Sequence, residues 1–308
     1  MTSSVLLSPH EFAVDGLPCL RIDRVPLFDV SKTFDCGQCF RFDPVKNTAH
    51  ETEYAGFACG KYVSVAQDGD TLYLYNVTEK EYEHRFRIFL DLDRDYGKIN
   101  DHILSLSRSD ALHDAVRRAS GIRILRQDGW EAICSFIISQ NNNIPRIKNL
   151  IRTICEACAT PVDVSAMKHH VADAHKSEAG HFCPFPTPED LLSLGTDRLY
   201  GLKTGFRARY LTDAASKMQS GELNLALLEN GTLSEGMEHL CQVKGIGPKV
   251  ASCALLFGFG KLDAFPVDVW IRKATEKYFD RNFDPASLGQ YAGIAQQYLF
   301  YYERYLQG

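Results

Sequence analysis

Val243-Lys244-Gly245-Ile246-Gly247-Pro248-Lys249, followed nineteen residues after Lys249 by Asp268 at the end of Phe265-Pro266-Val267-Asp268, is the stretch that decides the fold. Gly245 and Gly247 allow positive φ and leave backbone N–H groups bare, and Pro248 suits the first position of a helix. A turn that feeds directly into a helix start binds anions, phosphates included. Lys249 falls in the first turn of that helix, where the positive end of the macrodipole and any burial disfavour the ammonium and favour an amine able to act as nucleophile. Asp268 precedes Val269-Trp270-Ile271-Arg272-Lys273-Ala274, which reads as the start of another helix, so its first role is that of N-cap.

Singly these residues say little. A lone lysine in a helix is usually a solvated side chain, a lone aspartate before a helix is usually a cap, and most Gly-x-Gly turns are only turns. The joint pattern is more specific: Gly-Ile-Gly-Pro-Lys-Val-Ala-Ser-Cys from Gly245, then Pro-Val-Asp-Val from Pro266, resembles the helix-hairpin-helix DNA glycosylases. Within them it resembles the 8-oxoguanine DNA glycosylase/AP lyase branch, which adds the lysine.

The chain has 308 residues, 45% hydrophobic and 24% charged, the composition of a globular protein of one large or two smaller domains. Its formal net charge of −5 means that any DNA surface must be a local patch. The N-terminus lacks a basic start and reaches Glu11 before any long apolar run, so no secretory signal is expected, no stretch approaches transmembrane length, and the expected location is intracellular. Ten cysteines then imply reduced thiols. The pairs Cys36/Cys39 and Cys155/Cys158 lie too far apart for a compact zinc module, and each is expected to be buried thiol rather than ligand. Related endonuclease III-type glycosylases carry a four-cysteine cluster near the C-terminus; here the last cysteine is Cys253, which excludes that iron–sulfur cluster.

The fold class expected is α+β. Alternation in Leu20–Val25, and in Tyr62–Val65 and Leu72–Tyr75 around the Asp68-Gly69 turn, predicts an antiparallel sheet with some helix over residues 1–118, which the resemblance implies is TATA-box-binding-protein-like. Residues 119–308 are expected to be helical. Asp128 with Glu131 forms a capping box, Asn143 caps a helix opened by Ile144-Pro145-Arg146, and further helices follow Thr187-Pro188, run from Arg207 to Met218, occupy 235–241 and close the chain from Pro285.

The resemblance extends along the chain through Gly37–Arg41, Gly121–Asp128, Ser139–Ile147, Gly205–Tyr210 and Ala295–Phe300, in family order. An enzyme that attacks C1′ of a damaged nucleotide must take it out of the duplex and fill the hole. The resemblance implies that Asn141 enters the hole, that Arg146 and Arg207 donate to the orphaned cytosine, and that Phe206 wedges the neighbouring step. Without it, Asn141-Asn142-Asn143 is a turn between helices. The carbonyl of Gly37 would read the N7–H that distinguishes 8-oxoguanine, Phe300 and Cys253 would sandwich the base, and Gln296 would bond its pairing edge. Gly245 and Gly247 would hold the backbone. Read without the family, Phe300 is core and Cys253 simply shares a helical face with Lys249.

Two departures stand out. Trp270 occupies a position where many relatives have histidine, and can donate only its indole N–H to a phosphate. The His/Cys-rich stretch from Met167 to Cys183, with His169, His170, His175 and His181, looks like an insertion over 165–185, expected as a flexible surface loop, with a zinc site involving Cys155 and Cys158 as the alternative. The expectation is a monomeric bifunctional enzyme acting on double-stranded DNA that contains 8-oxoguanine, with no cofactor, no metal and no membrane partner. Lys249 is the nucleophile and Asp268 stabilises the developing positive charge. The rivals are a glycosylase of broader alkylated-base specificity, against which Lys249 weighs, and a non-catalytic helix-hairpin-helix DNA-binding protein, which would need neither Lys249 nor Asp268.

Overall fold

The computed structural model describes residues 7–175 and 182–307. Six antiparallel strands, β1 (Pro9–Val14), β2 (Leu17–Ile22), β3 (Phe42–Pro44), β4 (Thr52–Ala58), β5 (Lys61–Asp68) and β6 (Thr71–Tyr75), lie in the order β1-β2-β6-β5-β4-β3. The β5–β6 hairpin closes as its alternation predicts, with Asp68 opposite Thr71. The strand expected over Leu20–Val25 starts earlier and ends at Ile22, and Val25 instead donates its N–H to the Asp70 carbonyl at 2.8 Å.

Side chains alternate across the sheet with period two, yet both faces are buried. Val63, Val65, Leu72 and Leu74 face one way and pack with Phe34, Phe86 and Phe89. Tyr62, Ala66 and Tyr75 face the other way, where Met167, Val171, Ala172 and Phe182 cover them. The expectation of a flexible surface loop at 165–185 is therefore corrected. Its described residues form two short turns, Ser165–Met167 and Asp173–His175, and a bridge joins Val162 to Phe182. The apolar residues interleaved with the histidines supply the burial, and the histidines meet carboxylates beneath them: His170 Nδ1 lies 2.8 Å from Glu53 Oε1 and His175 Nε2 lies 2.8 Å from Asp43 Oδ2. Burial pushes the Glu53 carboxyl up, but donors from His170, Ser64 and Thr48 outweigh it and leave Glu53 below its ordinary value. His181 lies outside the described residues. Among the described residues no group of three or more His, Cys, Asp and Glu side chains is placed to hold a metal ion. Cys36, Cys39 and Cys155 are buried thiols as expected, and burial pushes Cys36 and Cys155 up to about 12; Cys158 departs from the expectation and is only half-buried, at the end of its helix.

In the helical part, the Pro248–Phe259 helix is buried continuously from Val250 onward, apolar on all sides as a central helix must be. The Gly129–Ser139 and Ala292–Tyr301 helices share its core, as do Tyr96, Ile99, Leu112 and Val116 from the Tyr96–Leu106 and Asp110–Ala119 helices. Asn143 accepts from Arg146 N at 3.0 Å and Thr187 forms a full capping box with Asp190. Only half of the Asp128/Glu131 box forms: Asp128 accepts from Glu131 N at 2.9 Å, while the Glu131 carboxylate turns to Arg41 at 3.3 Å. After Pro285 a 3-10 segment breaks at Gly289, where φ is 67°, and regular helix begins at Ala292. Among the described residues no helix is long and apolar enough to cross a membrane.

Candidate active site

The hairpin joins the Leu233–Cys241 helix to the Pro248–Phe259 helix. Gly245 is required there for two reasons: its φ is +82°, and a Cβ would lie 2.2 Å from the Tyr210 ring. Gly247 departs from expectation, with φ −98° and ψ 179°, an extended conformation open to any residue. Its significance lies in what it lacks. It is the N-cap of a helix with no side-chain cap hydrogen bond, and beyond its chain neighbours no described atom lies within 4 Å of where its Cβ would be, so the helix start stays bare and accessible to an anion.

Gly245→Ala is therefore expected to lower stability by about 2 kcal/mol or more, from left-handed strain and overpacking together. A thermal midpoint unchanged in this variant would show that the hairpin tolerates a side chain.

Beside the hairpin, a cavity of about 350 Å³ brings together residues separated by more than two hundred positions. Gly37, Lys249, Cys253, Asp268, Trp270, Gln296 and Phe300 all line it. Gly37 has φ +78°, and a Cβ there would meet Ile144 at 3.4 Å and Phe300 at 3.6 Å, so the missing side chain leaves room against the Phe300 ring. Lys249 is half-buried, with Nζ 5.8 Å from the centre of the Phe136 ring. One turn on, Cys253 is buried; burial pushes its thiol up while Lys249 beside it pulls the other way, and its sulfur packs into the cavity wall. Asp268 caps the Val269–Tyr278 helix through Oδ1 alone, which accepts from Trp270 N at 3.0 Å and Ile271 N at 2.8 Å. The cap does not use Oδ2.

Gln296 carries the sharpest signal in the cavity. It is only 4% exposed, its Nε2 donates to the Pro266 carbonyl at 3.1 Å, and its buried Oε1 has no hydrogen-bond partner among the described residues. A buried acceptor left unsatisfied costs about 1–3 kcal/mol, which a ligand donor recovers.

Asn141 and Arg146 are exposed beside this cavity, and Asn141 takes φ 47°, which asparagine tolerates better than most residues. Phe206 is exposed and packs edge-on to Tyr210. Arg207 sits differently from its neighbours. It is buried, and its guanidinium donates to the carbonyls of Gln140, of Asn141 at 3.1 Å and of Thr204 at 3.1 Å, with its carbon 4.5 Å from the Phe206 ring centre. In this state it braces the Asn141 turn. Sequence reasoning misses Phe136, Asn142 and Arg304, which also line the cavity. Arg304 is within its reach, since it stands four residues after Phe300; nothing in the apolar run around Phe136 marks that residue out.

An uncapped helix start that can take a phosphate, next to a base-sized cavity holding an amine, a carboxylate and an unpartnered acceptor, defines a helix-hairpin-helix protein with an enzyme's pocket. Residues 20–133 match the 8-oxoguanine DNA glycosylase N-terminal domain and residues 134–286 match the HhH-GPD superfamily base excision DNA repair proteins, and the chain belongs to that superfamily in its 8-oxoguanine DNA glycosylase branch. It is 35% identical to MBOgg1, solved with a low affinity DNA ligand, over 98% of this chain and 99% of that one, with a TM-score of 0.84. It is 34% identical to the Clostridium acetobutylicum 8-oxoguanine glycosylase/lyase, solved with double-stranded DNA containing cytosine opposite 8-oxoguanine, over 98% and 99% of the two chains, with a TM-score of 0.82. The N-glycosylase/DNA lyase OGG1 of Arabidopsis thaliana is 29% identical over 294 residues, 87% of this chain and 75% of that protein.

Proposed function

We propose that this protein is a bifunctional DNA glycosylase and AP lyase that excises 8-oxoguanine and then cleaves the strand. The observation that carries the reading is the meeting of the Lys249 amine, the Asp268 carboxylate and the unpartnered Gln296 oxygen in one cavity. The Lys249 nitrogen attacks C1′, the N-glycosidic bond breaks, and the base leaves with the bonding pair and takes up a proton. The lysine nitrogen then forms a C=N bond to C1′ as the sugar ring opens, and loss of a C2′ proton expels the 3′ phosphate. Asp268 stabilises the positive charge that develops at the sugar. Gly37, Phe300, Cys253 and Gln296 hold the extruded base, the hairpin at Gly245 and Gly247 holds the backbone, and Trp270, which lines the cavity, contacts the damaged strand. The enzyme acts inside the cell, as a monomer. The division into residues 1–118 and 119–308 belongs to the same reading, as one of chain order, since core side chains of 96–119 pack with the helices. Borohydride trapping on an 8-oxoguanine duplex tests the whole: a covalent adduct is expected, and its absence alongside intact excision would overturn the amine mechanism.

Cytosine opposite the lesion is the preferred partner in this reading, through Arg146 and Arg207. Guanidinium groups only donate, and cytosine offers O2 and N3 as adjacent acceptors, whereas adenine presents an N6 donor. A wrong partner would leave a donor unpaired at about 1–3 kcal/mol, roughly ten- to a hundredfold in rate. Arg207 must release the Gln140 and Asn141 carbonyls to take part, so Arg207→Ala should also slow excision opposite cytosine, while Arg146→Ala should mainly flatten the preference. Rates on 8-oxoguanine opposite each of the four bases test this; a cytosine preference that survives loss of both arginines would sink it.

A further inference from the structure

Three charged side chains line the base cavity: Lys249, Asp268 and Arg304. The proposed chemistry uses the first two and leaves Arg304 without a role. Arg304 stands one turn beyond Phe300 on the last segment of the chain, its guanidinium carbon 5.5 Å from the Phe300 ring centre and 5.3 Å from that of Tyr305. Arg304 is half-buried between these two rings at the wall of the pocket, and the exposed Asp35 carboxylate lies within its electrostatic reach.

The charge balance gives that position a consequence. Lys249 attacks as a neutral amine, so at the moment of reaction the cavity holds the Asp268 carboxylate and the Arg304 cation. With Arg304 the lining sums to zero; without it the lining carries one negative charge, to which the nearby Asp35 carboxylate, no longer offset by Arg304, adds. A negatively charged pocket attracts bases that bear a formal positive charge, such as purines methylated at N7 or N3, whereas 8-oxoguanine is neutral. We propose that Arg304 is a specificity-determining residue, whose positive charge offsets Asp268 across the base pocket and disfavours cationic, alkylated bases relative to neutral oxidised ones. This rests on the reading of the cavity as the site of base excision, and it concerns selection rather than the bond-breaking step.

The test compares wild type, Arg304→Gln and Arg304→Lys in single-turnover excision from duplexes carrying 8-oxoguanine or N7-methylguanine opposite cytosine. Arg304→Gln should shift the ratio of the two rates toward the methylated base by roughly tenfold, the order of effect expected from removing one unit charge at the wall of a partly buried pocket. Arg304→Lys keeps the charge and should keep the ratio, while a role in packing alone would affect both variants alike. Circular dichroism and the thermal midpoint confirm that each variant is folded. Should wild type fail to excise 8-oxoguanine, the parent reading falls and this inference with it. If wild type does excise it and Arg304→Gln leaves the ratio unchanged, or Arg304→Lys shifts it equally, this inference alone is overturned.

Discussion

Lys249→Gln is expected to abolish excision of 8-oxoguanine and the borohydride-trapped adduct while lesion-containing duplex still binds. Glutamine keeps most of the aliphatic stem that runs past Phe136 and Cys253, so the wall of the cavity is preserved. What is lost is the amine, and an amide nitrogen, its lone pair delocalised into the carbonyl, does not replace it. Loss of a covalent nucleophile typically lowers turnover by roughly 10³-fold or more. Because Lys249 is half-buried and sits in the first turn behind an uncapped helix start, its replacement should move the thermal midpoint little. The bare N–H groups after Gly247 are unaffected by the change, so phosphate binding at the hairpin should persist. Gel-shift affinity, single-turnover excision and trapping, measured on the same preparation, separate these effects. A variant that still cross-links at the wild-type rate would mean that another amine attacks.

Much of this site is legible in the sequence because its signals are local. Pro248 at the start of a helix, Asn143 and Asp268 as N-caps and the Asp68-Gly69 hairpin are decided by neighbouring residues, and each forms where the chemistry of its side chain demands. Gly245 is legible as a glycine turn, but the contact with Tyr210 that forbids any side chain involves a residue thirty-five positions earlier, beyond the reach of spacing arguments. The departure of 165–185 from its expected form has the same origin. Its histidines point to metal chemistry, while the sparse apolar residues between them, Met167, Val171 and Phe182, match no period because they cover a sheet face rather than build an element. Likewise Glu53 and Asp43 give no sign in sequence of needing His170 and His175. Arg207 shows the limit most clearly, since a motif identifies the residue but not which carbonyls its guanidinium holds.

Asp268→Asn should cut the excision rate by roughly 10²–10³-fold with almost no change in stability, and the two halves of that expectation rest on different oxygens. Oδ1 accepts from the N–H groups of Trp270 and Ile271, and an asparagine carbonyl oxygen can accept both, so the Val269–Tyr278 helix keeps its cap at a cost of about a few tenths of a kcal/mol. Oδ2 is not engaged in the cap, and it is here that the substitution replaces half of a delocalised negative charge with an amide N–H₂. A neutral donor facing a sugar that is becoming cationic is repulsive where the carboxylate was attractive, and the penalty falls on the transition state more than on the bound substrate. Asp268→Ala provides the contrast, because it removes cap and charge together and should add about 1 kcal/mol of destabilisation to a comparable loss of rate. Melting curves and single-turnover rates of the two variants, taken side by side, test both roles. Wild-type turnover in Asp268→Asn would reduce Asp268 to a cap, and a large fall in its melting temperature would show that the cap needs the charge.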